Sequence, residues 1–171
     1  MSAIVIDTNV LLVADGQAEQ MSPQCRAACV NRLEKVQSDE QVVLDRSWLI
    51  LGEYGNRLDA NRQPTPGSAF LKWLLQRKMM PQHVCFVTIT AMNEEKTIFT
   101  EFPSDAVLLE DFDPADRKFV AVANAHGEKP PILQSADCKW LGWESRLASH
   151  GIRLEVLCRD ELESIRIRKT T

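Results

Sequence analysis

Ala3-Ile4-Val5-Ile6-Asp7-Thr8-Asn9 carries the fold. Four apolar residues stand in a row, three of them β-branched, without the polar alternation of a half-solvated strand. Such a run fits a strand covered on both faces. Asp7-Thr8-Asn9 ends it with side chains that cap a helix, so residues 10–14 are expected to form a short one. An aspartate at the carboxyl end of a doubly covered strand stands where open α/β sheets place their functional crevice.

The same punctuation recurs outward from this point. Ser22-Pro23, a serine cap with proline at the first helical position, opens a helix to about residue 37, with Ala27, Ala28, Val30, Leu33 and Val36 on its apolar face. Residues 41–44 read as a strand and 46–58 as a helix. Residues 61–67 (NRQPTPG) form a surface linker with two prolines and a glycine. Residues 68–79 return to helix around Phe70, Leu71, Trp73, Leu74 and Leu75. The stretch 84–89 suits a strand or a buried helical turn, and 93–109 is expected to be helical in its first part. Asp113-Pro114 opens a helix to about residue 126. A strand at 131–134, a helix at 139–149, a strand at 153–157 and a helix at 159–165 complete the chain. Strands alternating with helices predict a three-layer α/β/α fold on a central parallel sheet. At 171 residues the chain suits one domain over 1–171, with an elaborated region at about 61–109.

Composition narrows the function classes. Hydrophobic residues at 44% are enough for a sizeable core and argue against disorder. A net charge of -4 disfavours a protein that grips phosphate with basic side chains alone. The objection weakens if metal ions held by acids screen the phosphate. Cys25, Cys29, Cys85, Cys138 and Cys158 form no CxxC pair, and no histidine near Cys25 and Cys29 completes a zinc site. They are expected to be reduced and mostly buried, which points to the cytoplasm. No apolar run is long enough to span a bilayer, and the N-terminus lacks the basic region of a signal peptide. There is no GxxxxGK[ST] or GxGxxG, and His83, His126 and His150 share no triad spacing.

Four acids fall where the crevice rule points. Asp7 and Asp137 follow directly on predicted strands. Glu53 lies in the helix after the second strand, among Trp48, Leu49, Ile50 and Leu51, where a lone buried charge needs a partner or an ion. Asp116 sits in the first turn of its helix, ahead of Phe119, Val120 and Ala121. Each has a plainer role. Asp7 and Asp137 can cap the next helix, Glu53 can point to water, and Asp113 with Asp116 resembles a capping box. The coincidence of all four favours a site. Oxygen donors of this kind suit Mg²⁺ or Mn²⁺, not zinc. Arg117, Lys118 and Lys139 adjoin these acids and are candidates for phosphate contact. Arg57, Arg62, Arg77 and Lys78 read equally well as an RNA path or as ordinary surface. The basic end Arg166-Ile167-Arg168-Lys169 reads as a frayed tail, and the four tryptophans as core or partner-facing.

Taken in order, residues 4–9, Glu53, Asp113-Pro114-Ala115-Asp116-Arg117, Ser135-Ala136-Asp137 and the ending Gly151-Ile152-Arg153-Leu154-Glu155-Val156-Leu157 resemble the PIN-domain family. The resemblance implies a Mg²⁺- or Mn²⁺-dependent endoribonuclease using a metal-activated water. Asp7, Glu53, Asp116 and Asp137 match the family's acidic positions, and Asn9 and Ser135 its polar helpers. Many small members are VapC-like toxins paired with an antitoxin, and many dimerise. This chain is longer than the toxin pattern, with the surplus between about residues 61 and 109. The alternatives are a non-catalytic PIN-like domain that binds RNA or protein, and a phosphatase using Asp7 as nucleophile. For the second, Asn9 stands where a further aspartate is expected.

Overall fold

The computed structural model describes residues 1–61 and 64–170. Its elements are β1 (Ser2–Ile6), α1 (Thr8–Ala14), α2 (Pro23–Asp39), β2 (Glu40–Asp45), α3 (Leu49–Arg57), α4 (Pro66–Arg77) and β3 (Val84–Val87). They continue with α5 (Ala106–Asp111), a 3-10 turn (Pro114–Asp116), α6 (Arg117–Ala125), β4 (Ile132–Gln134), α7 (Lys139–Ser149), β5 (Leu154–Val156) and α8 (Arg159–Thr170).

The five strands form one parallel sheet in the order β3-β2-β1-β4-β5, within an α/β/α architecture. The chain runs outward from β1 through β2 to β3, then crosses back to place β4 on the other side of β1. The order of connection therefore reverses between β1 and β4, the switch point at which such sheets open a crevice. The pairing aligns Val5 with Ile132 and Ile6 with Leu133. The amide of Asp7 donates to the carbonyl of Leu133 at 2.9 Å, which brings the two strand ends level. Ile4, Val5, Ile6, Val42, Val43, Leu44, Ile132 and Leu133 are all buried, as a sheet covered on both faces requires. Helix α6 packs on β1, β2 and β4 through Phe119, Val120, Ala121, Val122 and Ala123.

Several boundaries differ from expectation, each for a local reason. Helix α3 starts at Leu49 rather than 46. The Asp45 carboxylate accepts from the amides of Leu49 (2.8 Å) and Ile50 (2.9 Å), and Trp48 takes a left-handed φ of 66° just before. The expected helix in the first part of 93–109 is instead a turn closed by Asn93, whose side-chain oxygen accepts from Thr97 and Ile98. The helix there comes later, as α5, capped by Asp105. The stretch from 84 resolves as a strand. The inward stripe of α2 is Cys25, Cys29, Leu33 and Val36, and Ala27 is exposed. Residues 166–169 belong to helix α8 and are not a frayed tail. Arg62, and with it part of the linker at 61–67, lies outside the described residues.

The cysteines overturn an expectation outright. Cys25 and Cys158 are joined in a disulfide across 133 residues of sequence, while Cys29, Cys85 and Cys138 are free. The sequence pattern predicts all five as reduced thiols. The fold instead lays the turn before α8 against the start of α2, where Ser22 also donates twice to Glu161, at 2.6 and 2.7 Å. Among the described residues, no helix is long and apolar enough to cross a membrane.

Candidate metal centre

Asp7 is the innermost of the four acids, with 1% of its surface exposed at the end of β1. One of its oxygens accepts from the amide of Asn9 at 3.2 Å, so it does cap α1. That single bond does not offset its surroundings. Burial, and then the charges of Asp116, Glu53 and Asp137, push its carboxyl well above the usual range. Tyr54 supports the same strand end from α3. Its fully buried hydroxyl donates to the carbonyl of Ile6, the residue before Asp7.

Asp113 and Asp116 divide their work. The Asp113 side chain accepts from the amide of Ala115 at 3.2 Å and caps the 3-10 turn. Asp116 stands at the start of α6 with no capping bond from its side chain, so its carboxylate is not spent on the helix end. Burial, with Asp113 and Asp137 nearby, raises its pKa to about 7 against the opposing charge of Lys118. Asp137 arrives from the other side of the switch point. Ala136 turns left-handed at φ 73°, a conformation that costs a non-glycine residue about 1 kcal/mol or more. The turn is held by Gln134, whose side-chain nitrogen donates to the Asp137 carbonyl at 2.9 Å. Asp137 itself accepts from the Lys139 amide at 3.0 Å.

Glu53 faces this cluster, not open water. Thr8 donates its hydroxyl to one oxygen, and Lys118 lies 2.9 Å from the other. Beside it a groove of about 420 Å³ is lined by Trp48, Glu53, Lys96, Thr97, Ala115 and Lys118. A larger depression of about 590 Å³ between α5 and α7 contains none of the four acids.

The structure thus gathers Asp7, Glu53, Asp116 and Asp137 from four separated segments into one mutually repelling group. Their oxygens stand farther apart than ligand atoms around a single ion. Among the described residues, the one group of three or more Asp, Glu, His or Cys ligand atoms within 4.8 Å of one another is Cys25, Cys29 and Cys158. The donor set nevertheless fits a hard divalent cation. Mg²⁺ keeps several waters and binds through one or two carboxylates, so direct contact with every acid is not required.

The other expected site residues divide. Asn9 is half-buried beside Asp7 and fixes its carboxylate through the backbone amide. Lys139 is exposed, 3.3 Å from Asp113, at the rim. Arg117 is not available to a substrate. It is buried, and its guanidinium donates to the carbonyls of Thr97 (3.2 Å) and Leu109 (2.8 Å), tying α6 to the preceding loop and α5. The fully buried hydroxyl of Ser135 lies 3.6 Å from the Cys25 sulfur, so it serves the cysteines and not the acids. Sequence reasoning missed Thr8 and Tyr54. Thr8 is signalled only by its place after Asp7, and Tyr54 by its place after Glu53. Comparison with protein-family models, curated proteins and solved structures finds no match to this chain.

Proposed function

We propose that the protein is a Mg²⁺- or Mn²⁺-dependent endoribonuclease whose metal is held by Asp7, Glu53, Asp116 and Asp137. One observation carries the reading: four acids from separate segments crowd the carboxyl end of the sheet at its switch point, with Lys118, among the described residues, the single cation bonded among them. Such crowding raises the energy of the metal-free fold, and a divalent cation relieves it. When bound, the ion lowers the pKa of a coordinated water and neutralises charge developing on a phosphodiester.

The chain's own residues supply the rest. Asp7, fixed by the Asn9 amide and the Tyr54 bond to Ile6, anchors the site. Lys118 balances Glu53, and Lys139 stands at the rim where a phosphate would pass. RNA as the substrate, rather than another phosphodiester, rests on the PIN-domain resemblance of the ordered acidic motifs. The same resemblance makes an antitoxin partner and a homodimer the expected associations, whereas the cytoplasm, expected from reduced cysteines, loses that support to the Cys25–Cys158 disulfide. A phosphatase with Asp7 as nucleophile is disfavoured, because Asn9 stands where that chemistry expects a second aspartate.

The test is cleavage of single-stranded and structured RNA by the purified chain in Mn²⁺ or EDTA, beside Asp7→Asn and Asp137→Asn. Cleavage is expected with Mn²⁺ alone and to fall at least a hundredfold in each variant. Cleavage indifferent to EDTA and to both substitutions overturns the reading.

A further inference from the structure

The second feature that the fold assembles is made of sulfur. Cys25 and Cys29 are one turn apart on the inward stripe of α2, and Cys158 caps the turn from β5 into α8. The three sulfur atoms lie within 4.8 Å of one another although Cys158 is 133 residues from Cys25. Ser135, fully buried, aims its hydroxyl at the Cys25 sulfur.

A surface groove of about 340 Å³ is lined by both Cys25 and Cys158, so the bonded pair is reachable from solvent. Cys29 is sealed behind them at 0% exposure. A buried third thiol beside a disulfide has two uses, exchange or ligation. Exchange passes a bond to an outside partner, and Cys29 is sealed from solvent. Coordination needs only that the three sulfurs converge, as they do within 4.8 Å, and a metal ion displaces the proton from a thiol outright.

We propose that Cys25, Cys29 and Cys158 form a thiolate site for a soft divalent cation of the zinc group, available when the Cys25–Cys158 bond is reduced. An external dithiol entering by the groove supplies two electrons and two protons, leaving as its own disulfide while Cys25 and Cys158 become thiols. The three thiols then bind one cation and release their protons to solvent. Zinc–sulfur distances of about 2.3 Å place tetrahedral sulfurs about 3.8 Å apart, so the Cys25 and Cys158 sulfurs move apart once their bond is reduced, while Cys29 already lies within 4.8 Å of both. Ser135 is placed to donate a hydrogen bond to a bound thiolate, as outer partners of metal ligands commonly do. This site is independent of the carboxylate centre and of any nuclease activity. In effect the two ends of α2 and α8 are clasped in either redox state, by sulfur–sulfur bonding or by the ion.

The experiment titrates the full chain with Cd²⁺ and follows sulfur-to-cadmium charge-transfer absorbance. It compares protein reduced by a phosphine, which brings no thiol of its own, with protein left oxidised. Reduced protein is expected to take up one equivalent with charge-transfer intensity for three thiolates, and oxidised protein to show none. Cys29→Ser and Cys158→Ser should each weaken binding at least tenfold, and Asp7→Asn should leave it unchanged. Circular dichroism identifies any variant that fails to fold, and the wild-type comparison then stands by itself. No charge-transfer band from folded, reduced protein at stoichiometric Cd²⁺ overturns the proposal. So does equal intensity from the oxidised chain, or full intensity from folded Cys29→Ser.

Discussion

The ammonium of Lys118 lies 2.9 Å from a carboxylate oxygen of Glu53, both side chains largely shielded from water. It also donates to the carbonyl of Ala115 and sits 4.8 Å over the ring of Phe119, so its place is fixed from three directions. Among the described residues this cation is the one counterweight bonded into the acid group. Lys118→Met removes it, and the remaining negative charge should hold a divalent cation more tightly. Calorimetry is expected to show Mn²⁺ affinity rising about tenfold. On the proposed function RNA cleavage should fall by a similar factor or more, because Lys118, unlike Arg117, lines the groove beside Glu53. Weaker Mn²⁺ binding in Lys118→Met would mean that the lysine positions Glu53 and does not compete with the metal.

Asp116 gives the acid group a pH signature. Its carboxyl is raised from 3.8 in the unfolded chain to about 7 in the fold, so its charged form destabilises the metal-free protein. That cost is absent below about pH 4, grows as pH rises, and is fully present above about pH 7. Asp116→Asn keeps the shape and removes the charge. In EDTA it should be more stable than wild type by about 2–4 kcal/mol at pH 8, and equal to it near pH 4. Thermal unfolding across this range checks the prediction. Saturating Mn²⁺ should close the gap at pH 8 by stabilising wild type more than the variant. A difference independent of pH would remove the charge-crowding account.

Both firm site positions were legible because they depend on strand ends. The run through Ile6 sets where Asp7 emerges, and the short strand before Ser135 does the same for Asp137. Asp116 could be separated from Asp113 only by the 3-10 turn, since a sequence does not reveal which of two acids accepts from the amides at the helix end. Glu53 depended on the facing of α3, which the left-handed Trp48 and the Asp45 cap decide. The helix at 66–77 was legible from its apolar face, but the stretch from 93 to 109 was not, because isolated side-chain bonds hold it. Asn93 closes a turn and Arg117 reaches back to Thr97 and Leu109, and such contacts leave no hydrophobic period. The cysteine cluster was invisible for a different reason: proximity across 133 residues is a property of the topology alone.

Tyr54 ties α3 to β1 at the residue before Asp7, so its hydroxyl is expected to matter twice. Tyr54→Phe leaves the buried Ile6 carbonyl without that donor and should cost about 1–2 kcal/mol of stability. Because the chain then relaxes next to Asp7, Mn²⁺ affinity should also fall several-fold. Denaturant unfolding and calorimetry read the two effects separately. A stability loss with unchanged metal affinity would assign Tyr54 to the core and not to the site.

Arg117 and Lys139 flank the same acids yet face opposite fates, and a paired measurement separates them. Arg117 is buried with its guanidinium on two carbonyls, whereas Lys139 is exposed at the rim. Arg117→Met strands both acceptors and should destabilise the protein by about 1.5–3 kcal/mol, as hydrogen bonds to charged groups do. RNA affinity, measured where the variant is still folded, should keep its wild-type salt dependence. Lys139→Ala should leave stability within about 0.5 kcal/mol and lower the slope of log affinity against log salt by about one. The opposite pattern, with Arg117→Met stable but weak in RNA binding, would show that the guanidinium leaves its carbonyls to reach the substrate. The geometry argues against that exchange, since both carbonyls would lose a charged donor.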